Sequence, residues 1–172
     1  MAELALLRRL GDVMSFSEGQ TVFKENEPGD CMYIVLKGTF NVFVNTLTGY
    51  PAQVAALQQG SFFGEMSLID GWPRNATVIS NEDGAALVVD KNNFKMLVIK
   101  CPDITNNILV ALRARCETVA KSLRDKGINT PDISDLMFTP KLDNTPEVLG
   151  LMRRIARVLR QMNRFVYDDI IE

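Results

Sequence analysis

From residue 20 to residue 89 the apolar positions come in short runs rich in Val, Ile, Phe and Thr. Turn signals divide them: Glu27-Pro28-Gly29-Asp30, Lys37-Gly38, Thr48-Gly49, Gln59-Gly60, Gly71-Trp72-Pro73 and Asp83-Gly84. Intervals of this kind predict an all-β barrel or sandwich. The clearest strands are 32–36, 40–44, 53–57 and 76–80. In the second, Phe40, Val42 and Val44 fall on one face by period two, which suits a half-buried strand. On either side the period is helical. Leu4, Leu7 and Leu10 predict a short helix over 2–10. Asp90 can cap a helix running to Val98, and Pro102-Asp103 opens a longer one to about Lys126. Ile108, Leu112, Cys116, Val119 and Leu123 form one stripe on that longer helix, and Gly127 is a natural stop.

Beyond Gly127, Pro131, Pro140 and Pro146 lie among Asn, Asp, Ser and Thr, the composition of a connector with one helical turn near 133–137. Thr145-Pro146-Glu147 then reads as a helix start, with Thr145 as cap and Pro146 at the first helical position. Val148, Met152, Ile155, Leu159, Met162 and Val166 follow at alternating steps of four and three, a coiled-coil-like seam too short to stand alone. The expected organisation is a main unit over 1–126, a connector over 127–146 and an amphipathic helix over 147–172.

Composition narrows the chemistry. Of 172 residues, 47% are hydrophobic and 23% charged, the balance of a globular protein, and no apolar run approaches a membrane span. The first residues carry Glu3, Arg8 and Arg9 and lack the pattern of a signal peptide. A net charge of −2 gives no overall attraction to nucleic acid or an anionic membrane. Histidine is absent, which removes the commonest general base and the commonest metal ligand. A cupin-type metalloenzyme and a histidine-dependent triad are therefore not expected. Cys31, Cys101 and Cys116 are scattered and odd in number, so buried thiols in a reduced, cytoplasmic setting are expected.

One stretch carries chemistry: Phe63-Gly64-Glu65-Met66-Ser67-Leu68, then Pro73-Arg74-Asn75-Ala76-Thr77-Val78. Gly64 permits close approach of the backbone to a ligand, and a short helix after it would offer free N–H groups to a phosphate. The turn through Gly71 and Pro73 lets Arg74 fold back toward Glu65. A guanidinium supplies paired donors for phosphate oxygens, and a carboxylate accepts from a sugar hydroxyl. The set describes a site for a phosphorylated sugar.

This stretch resembles the phosphate-binding cassette of cyclic-nucleotide-binding domains. The likeness continues upstream through Phe23-Lys24-Glu25-Asn26-Glu27-Pro28-Gly29-Asp30, Met32-Tyr33-Ile34-Val35-Leu36 and Lys37-Gly38, and downstream to the Pro102 helix, covering about residues 1–126. The resemblance implies a mainly β fold, a jelly-roll-like β-roll of about eight strands with flanking helices and the cassette helix inside it. It implies a non-enzymatic sensor that takes cyclic AMP or cyclic GMP as ligand, without a cofactor or metal. Glu65 would bind the ribose 2′-hydroxyl and Arg74 the cyclic phosphate. The amides of Gly64, Met66 and Ser67, with the backbone of Asn75 and Ala76, would complete the cradle. Asn75 departs from the family's usual Ala, Thr or Ser, and its amide can serve either base. Relatives close the pocket from the long helix, where Arg115, Thr118 and Ser122 are candidates, and often pair as homodimers through it.

The remaining features have plainer readings. Gly29, Gly38 and Gly60 serve turns through positive φ. Trp72 packs on its own scaffold. Arg153, Arg157, Arg160 and Arg164 form a solvated face rather than a nucleic-acid stripe, since Asp168, Asp169 and Glu172 offset them. A receptor-type transcription factor would add a winged helix-turn-helix, and after Lys126 only one clear helix is legible. A scaffold that dimerises with an empty pocket is the remaining alternative. The expected output is a partner protein or fused domain, reached through the C-terminal helices.

Overall fold

A computed structural model describes residues 9–138, 140–143 and 145–168. The helix expected over 2–10 lies largely outside them. Eight strands follow: β1 (Asp12–Phe16), β2 (Thr21–Phe23), β3 (Cys31–Lys37), β4 (Phe40–Asn45), β5 (Pro51–Leu57), β6 (Phe62–Phe63), β7 (Thr77–Ser80) and β8 (Gly84–Asp90). They form two antiparallel four-stranded sheets, ordered β1-β8-β3-β6 and β2-β7-β4-β5. A short helix, α1 (Glu65–Asp70), sits between β6 and β7. The mainly β architecture with flanking helices is as the pattern predicts. β5 begins at Pro51, two residues before the expected start. It is an edge strand, where a residue without an N–H is tolerated.

Phe16, Phe23, Tyr33, Phe40 and Phe63 fill the space between the sheets together with Val35 and Val78. Tyr33 and Phe63 pair across β3 and β6, and their rings stack at 4.9 Å. Phe40 and Val44 are buried as period two requires, but Val42 is only half-buried. The β4–β5 register shifts between Val42 and Phe43, and Val42 faces a cavity instead of solid core.

After the sheets come α2 (Lys91–Lys100), α3 (Pro102–Asp125), a 3-10 turn (Ser134–Leu136) and α4 (Thr145–Asp168). Asp90 caps α2 by accepting from Asn93 N at 2.7 Å. Gly127, with φ of 75°, ends α3: its N–H bonds Arg124 O and that of Ile128 bonds Leu123 O, the Schellman arrangement. α4 starts at Thr145 itself rather than using that residue as cap, and Asn144 lies outside the described residues.

The stripe of α3 and the seam of α4 meet each other. Ile108, Leu112, Cys116 and Leu123 share one buried cluster with Val148, Met152, Ile155, Leu159 and Met162. The stripe for which a dimer seam was expected is thus covered by α4 of the same chain. Cys116 and Cys101 are buried, and burial, helped by the charge of Glu117, pushes the Cys116 thiol up to about 11. Cys31 departs from expectation in being only half-buried. Among the described residues no helix is long and apolar enough to cross a membrane.

Candidate functional site

Gly64 and Gly71 bracket α1, with φ of 79° and 76°, so the chain can turn sharply into and out of one and a half turns of helix. Glu65, Met66, Ser67, Leu68 and Ile69 are all buried there. The turn after Gly71 brings Arg74 back against the start of α1, where its Nη1 donates to Gly64 O at 2.8 Å. The backbone of Arg74 is locked to the 24–30 loop by two bonds of 2.8 Å, Asn26 N to Arg74 O and Arg74 N to Glu27 O.

Arg74 is a cation in an unusual setting. It is 4% exposed, and among the described residues no carboxylate lies within 4.0 Å of it. Its Nε is the one buried side-chain donor there with no partner. The guanidinium lies 4.2 Å over the Phe23 ring, and Nη2 has only Cys31 Sγ at 3.6 Å. A buried charge without a counter-charge costs several kcal/mol, so this position is primed for an anion.

Gly29 follows from the same group. Its φ is not positive, contrary to the turn reading. A Cβ there would lie 2.7 Å from Arg74 Cζ and 2.6 Å from Ser67 Cβ, so the glycine is required by space. Gly38 and Gly60 do carry positive φ, 82° and 85°.

A cavity of about 370 Å³ opens beside α1, within the size range of small-ligand pockets. Gly64, Glu65, Met66, Asn75 and Ala76 line it. Arg74 and Ser67 do not; Arg74 stands behind the Gly64 wall and also faces a second cleft. Asn75 donates to Met66 Sδ at 3.5 Å. The apolar wall comes from Val42, Val44, Val54 and Leu57 of β4 and β5.

From α3, Arg115 and Thr118 reach the cavity, while Ser122 does not. Arg115 Nη1 donates to Glu65 Oε1 at 2.5 Å, so the long helix is tied to the cassette by an ion pair whose carboxylate side is buried. Leu159 and Asn163 of α4 complete the lining. Sequence reasoning missed this contribution, because only tertiary packing brings residues so distant in the chain to one wall.

The arginine stripe is likewise corrected. Arg160 pairs with Asp70 through two contacts, one of them Nη2 to Oδ1 at 3.1 Å, and the Asp70 side chain is fully buried. Arg153 Nε donates to Ile69 O at 3.3 Å. Half of the stripe therefore holds the end of α1, while Arg157 and Arg164 remain exposed. Trp72 is 61% exposed and lines the second cleft, so it does not pack into its scaffold as expected.

The family described as "Cyclic nucleotide-binding domain" matches residues 13–101, more than half of the chain. The cyclic AMP receptor protein of Thermus thermophilus is 32% identical over 100 residues, 58% of this chain and 46% of its own length. A cGMP-dependent protein kinase of Plasmodium berghei is 34% identical over 144 residues, 83% of this chain and 15% of the kinase. This chain thus spans about half or less of the curated relatives it matches. The crystal structure of Thermus thermophilus catabolite activator protein shares the fold, with a TM-score of 0.59 at 22% identity over 96% of this chain and 84% of that one. The β-roll, the ordered cassette and the match across it lead to one conclusion: this chain belongs to the cyclic nucleotide-binding domain family.

Proposed function

We propose that the chain is a non-enzymatic, cytoplasmic regulatory module that binds cyclic AMP, with cyclic GMP as the second reading. Arg74 carries the proposal: a buried guanidinium with an unpartnered Nε and no carboxylate beside it suits a cyclic phosphate. Glu65 takes the ribose 2′-hydroxyl, and the backbone of Gly64, Met66, Ser67, Asn75 and Ala76 surrounds the phosphate. The Plasmodium relative, a cGMP-dependent kinase matched over most of this chain, favours the second reading. Binding biases the helices beyond the roll because Arg115 joins Glu65 to α3. Only a difference in affinity between two arrangements can drive such a shift. The output is a partner protein or fused domain. The division into a sensor over 1–126, a connector and a terminal helix belongs to this proposal. A homodimer through the long helix would use its outward face, where Val110 is exposed.

The test is calorimetric titration of the whole chain with each nucleotide. Losing a buried charge partner typically costs about 2–5 kcal/mol, so Arg74→Ala is expected to weaken binding roughly thirty-fold to several thousand-fold. A change under about threefold, or no binding by the unaltered chain at millimolar nucleotide, rejects the assignment.

A further inference from the structure

The second cleft, of about 770 Å³, is larger than the cavity beside α1 and lies between the loops after β2 and α1 and the polar face of α4. Among the described residues only Asn75 and Asn163 border both spaces. Four arginines line the cleft, Arg74, Arg157, Arg160 and Arg164, against two carboxylates, Glu25 and Asp70. Both carboxylates are engaged: Asp70 pairs with Arg160, and Glu25 Oε2 accepts from Asn45 N at 2.7 Å. Arg157 and Arg164 are exposed and have no ion pair among the described residues. Arg74, whose buried Nε has no partner, borders this cleft and not the first. The walls are fixed. Asp70 also accepts from Trp72 N at 3.0 Å, so one buried carboxylate ties the loop carrying the indole to the helix carrying the arginines. On the opposite wall Asn26 holds φ of 69°, uncommon for a residue with a Cβ, and its N–H bonds Arg74 O.

We infer that this cleft is a second ligand site, for a small polyanion carrying a flat ring, of the nucleoside polyphosphate class. The site is separate from the first cavity and needs no cyclic nucleotide there. Its volume falls in the range of small-ligand sites. Arg157 and Arg164 lie seven residues apart, two turns or about 10.5 Å along the helix, so a chain of phosphates serves both guanidiniums better than a single phosphate does. The exposed indole of Trp72 offers a face on which a ring can stack. Gln161 and Asn163, on the same wall as the arginines, add carboxamides that can donate to and accept from the polar edge of a base or sugar. An acidic protein segment would satisfy the arginines but would leave the indole face without a use.

Trp72 is the only tryptophan of the chain, so its fluorescence reports on the cleft directly. The whole chain is titrated with ATP, inorganic tripolyphosphate and hexaglutamate at physiological ionic strength, by fluorescence and by calorimetry. ATP is expected to quench Trp72 saturably with a dissociation constant below about 1 mM. Tripolyphosphate, with no ring to stack, is expected to bind at least about fivefold more weakly. A double variant, Arg157→Ala with Arg164→Ala, changes two exposed side chains. It is expected to lose at least about tenfold in ATP affinity while its thermal unfolding stays unchanged. No saturable ATP signal, an ATP affinity untouched by the double variant, or tripolyphosphate binding as tightly as ATP would overturn the inference. Hexaglutamate binding more tightly than ATP would also overturn it and would mark an acidic protein segment as the occupant. Failure of the function proposed above is read separately, in cyclic-nucleotide titrations of the unaltered chain and of Arg74→Ala.

Discussion

A Cβ on Gly29 would fall 2.7 Å from both Nε and Cζ of Arg74, and one on Gly64 would fall 2.7 Å from its Nη1. Two glycines far apart in sequence are therefore fixed by one side chain. Gly64 carries the added constraint of φ at 79°, which penalises any residue with a Cβ. Neither neighbour of Gly29 can yield easily: the Arg74 backbone is pinned by Asn26 and Glu27, and Ser67 sits inside α1. Gly29→Ala is expected to displace the guanidinium and weaken nucleotide binding at least about tenfold, with an overpacking cost of about 1–3 kcal/mol. Titration and chemical denaturation of the same sample check both figures; an alanine variant with full affinity would mean that Arg74 does not act from this position. At this scale the sequence was informative about Gly64, Glu65 and Arg74, because their types and order carry the chemistry. It was misleading about Gly29, because a close approach across the fold leaves no local signal.

The elements show how a helix six residues long is held in place. α1 is too short to persist on its own, so its position depends on its ends. Arg74 bonds the carbonyl of Gly64 at its start, and α4 holds its far end through Arg160 and Arg153. Cationic groups at a helix C-terminus are electrostatically favourable, and here the acceptor carboxylate is fully buried. Asp70→Ala would leave Arg160 without its partner, although the arginine is 19% exposed and can turn toward the second cleft. The expected loss is about 1.5–3 kcal/mol of stability, the range for hydrogen bonds to charged groups, measured by urea denaturation. A loss below about 0.5 kcal/mol would show that packing alone positions α4. The seam of α4 was legible as a period of apolar residues, but its mate was not. A periodic stripe states that something covers it and leaves the cover unnamed.

Across the whole molecule, one hydrophobic cluster begins at Met32, Leu87 and Val89 of the β1-β8-β3-β6 sheet and runs through α1, α2 and α3. It ends on Val148 to Met162 of α4. Removing any layer would bare the next, so the β-roll and the terminal helix are expected to unfold together. Calorimetric and circular-dichroism melts should coincide in a single transition; a separate early melting of helix would show α4 to be an independent unit. A nucleotide seated against both Glu65 and α4 would raise that one transition as a whole, by mass action on the folded state. The sequence by itself determined the strand and helix order, the stop at Gly127, the absence of histidine chemistry and the cassette, because each depends on residue type and near neighbours. Only the tertiary structure decided that Arg115 meets Glu65, that Arg160 meets Asp70, and that Leu159 and Asn163 line the cavity. The two ion pairs join residues 50 and 90 positions apart in the chain, and no local pattern specifies which polar group a distant arginine will reach.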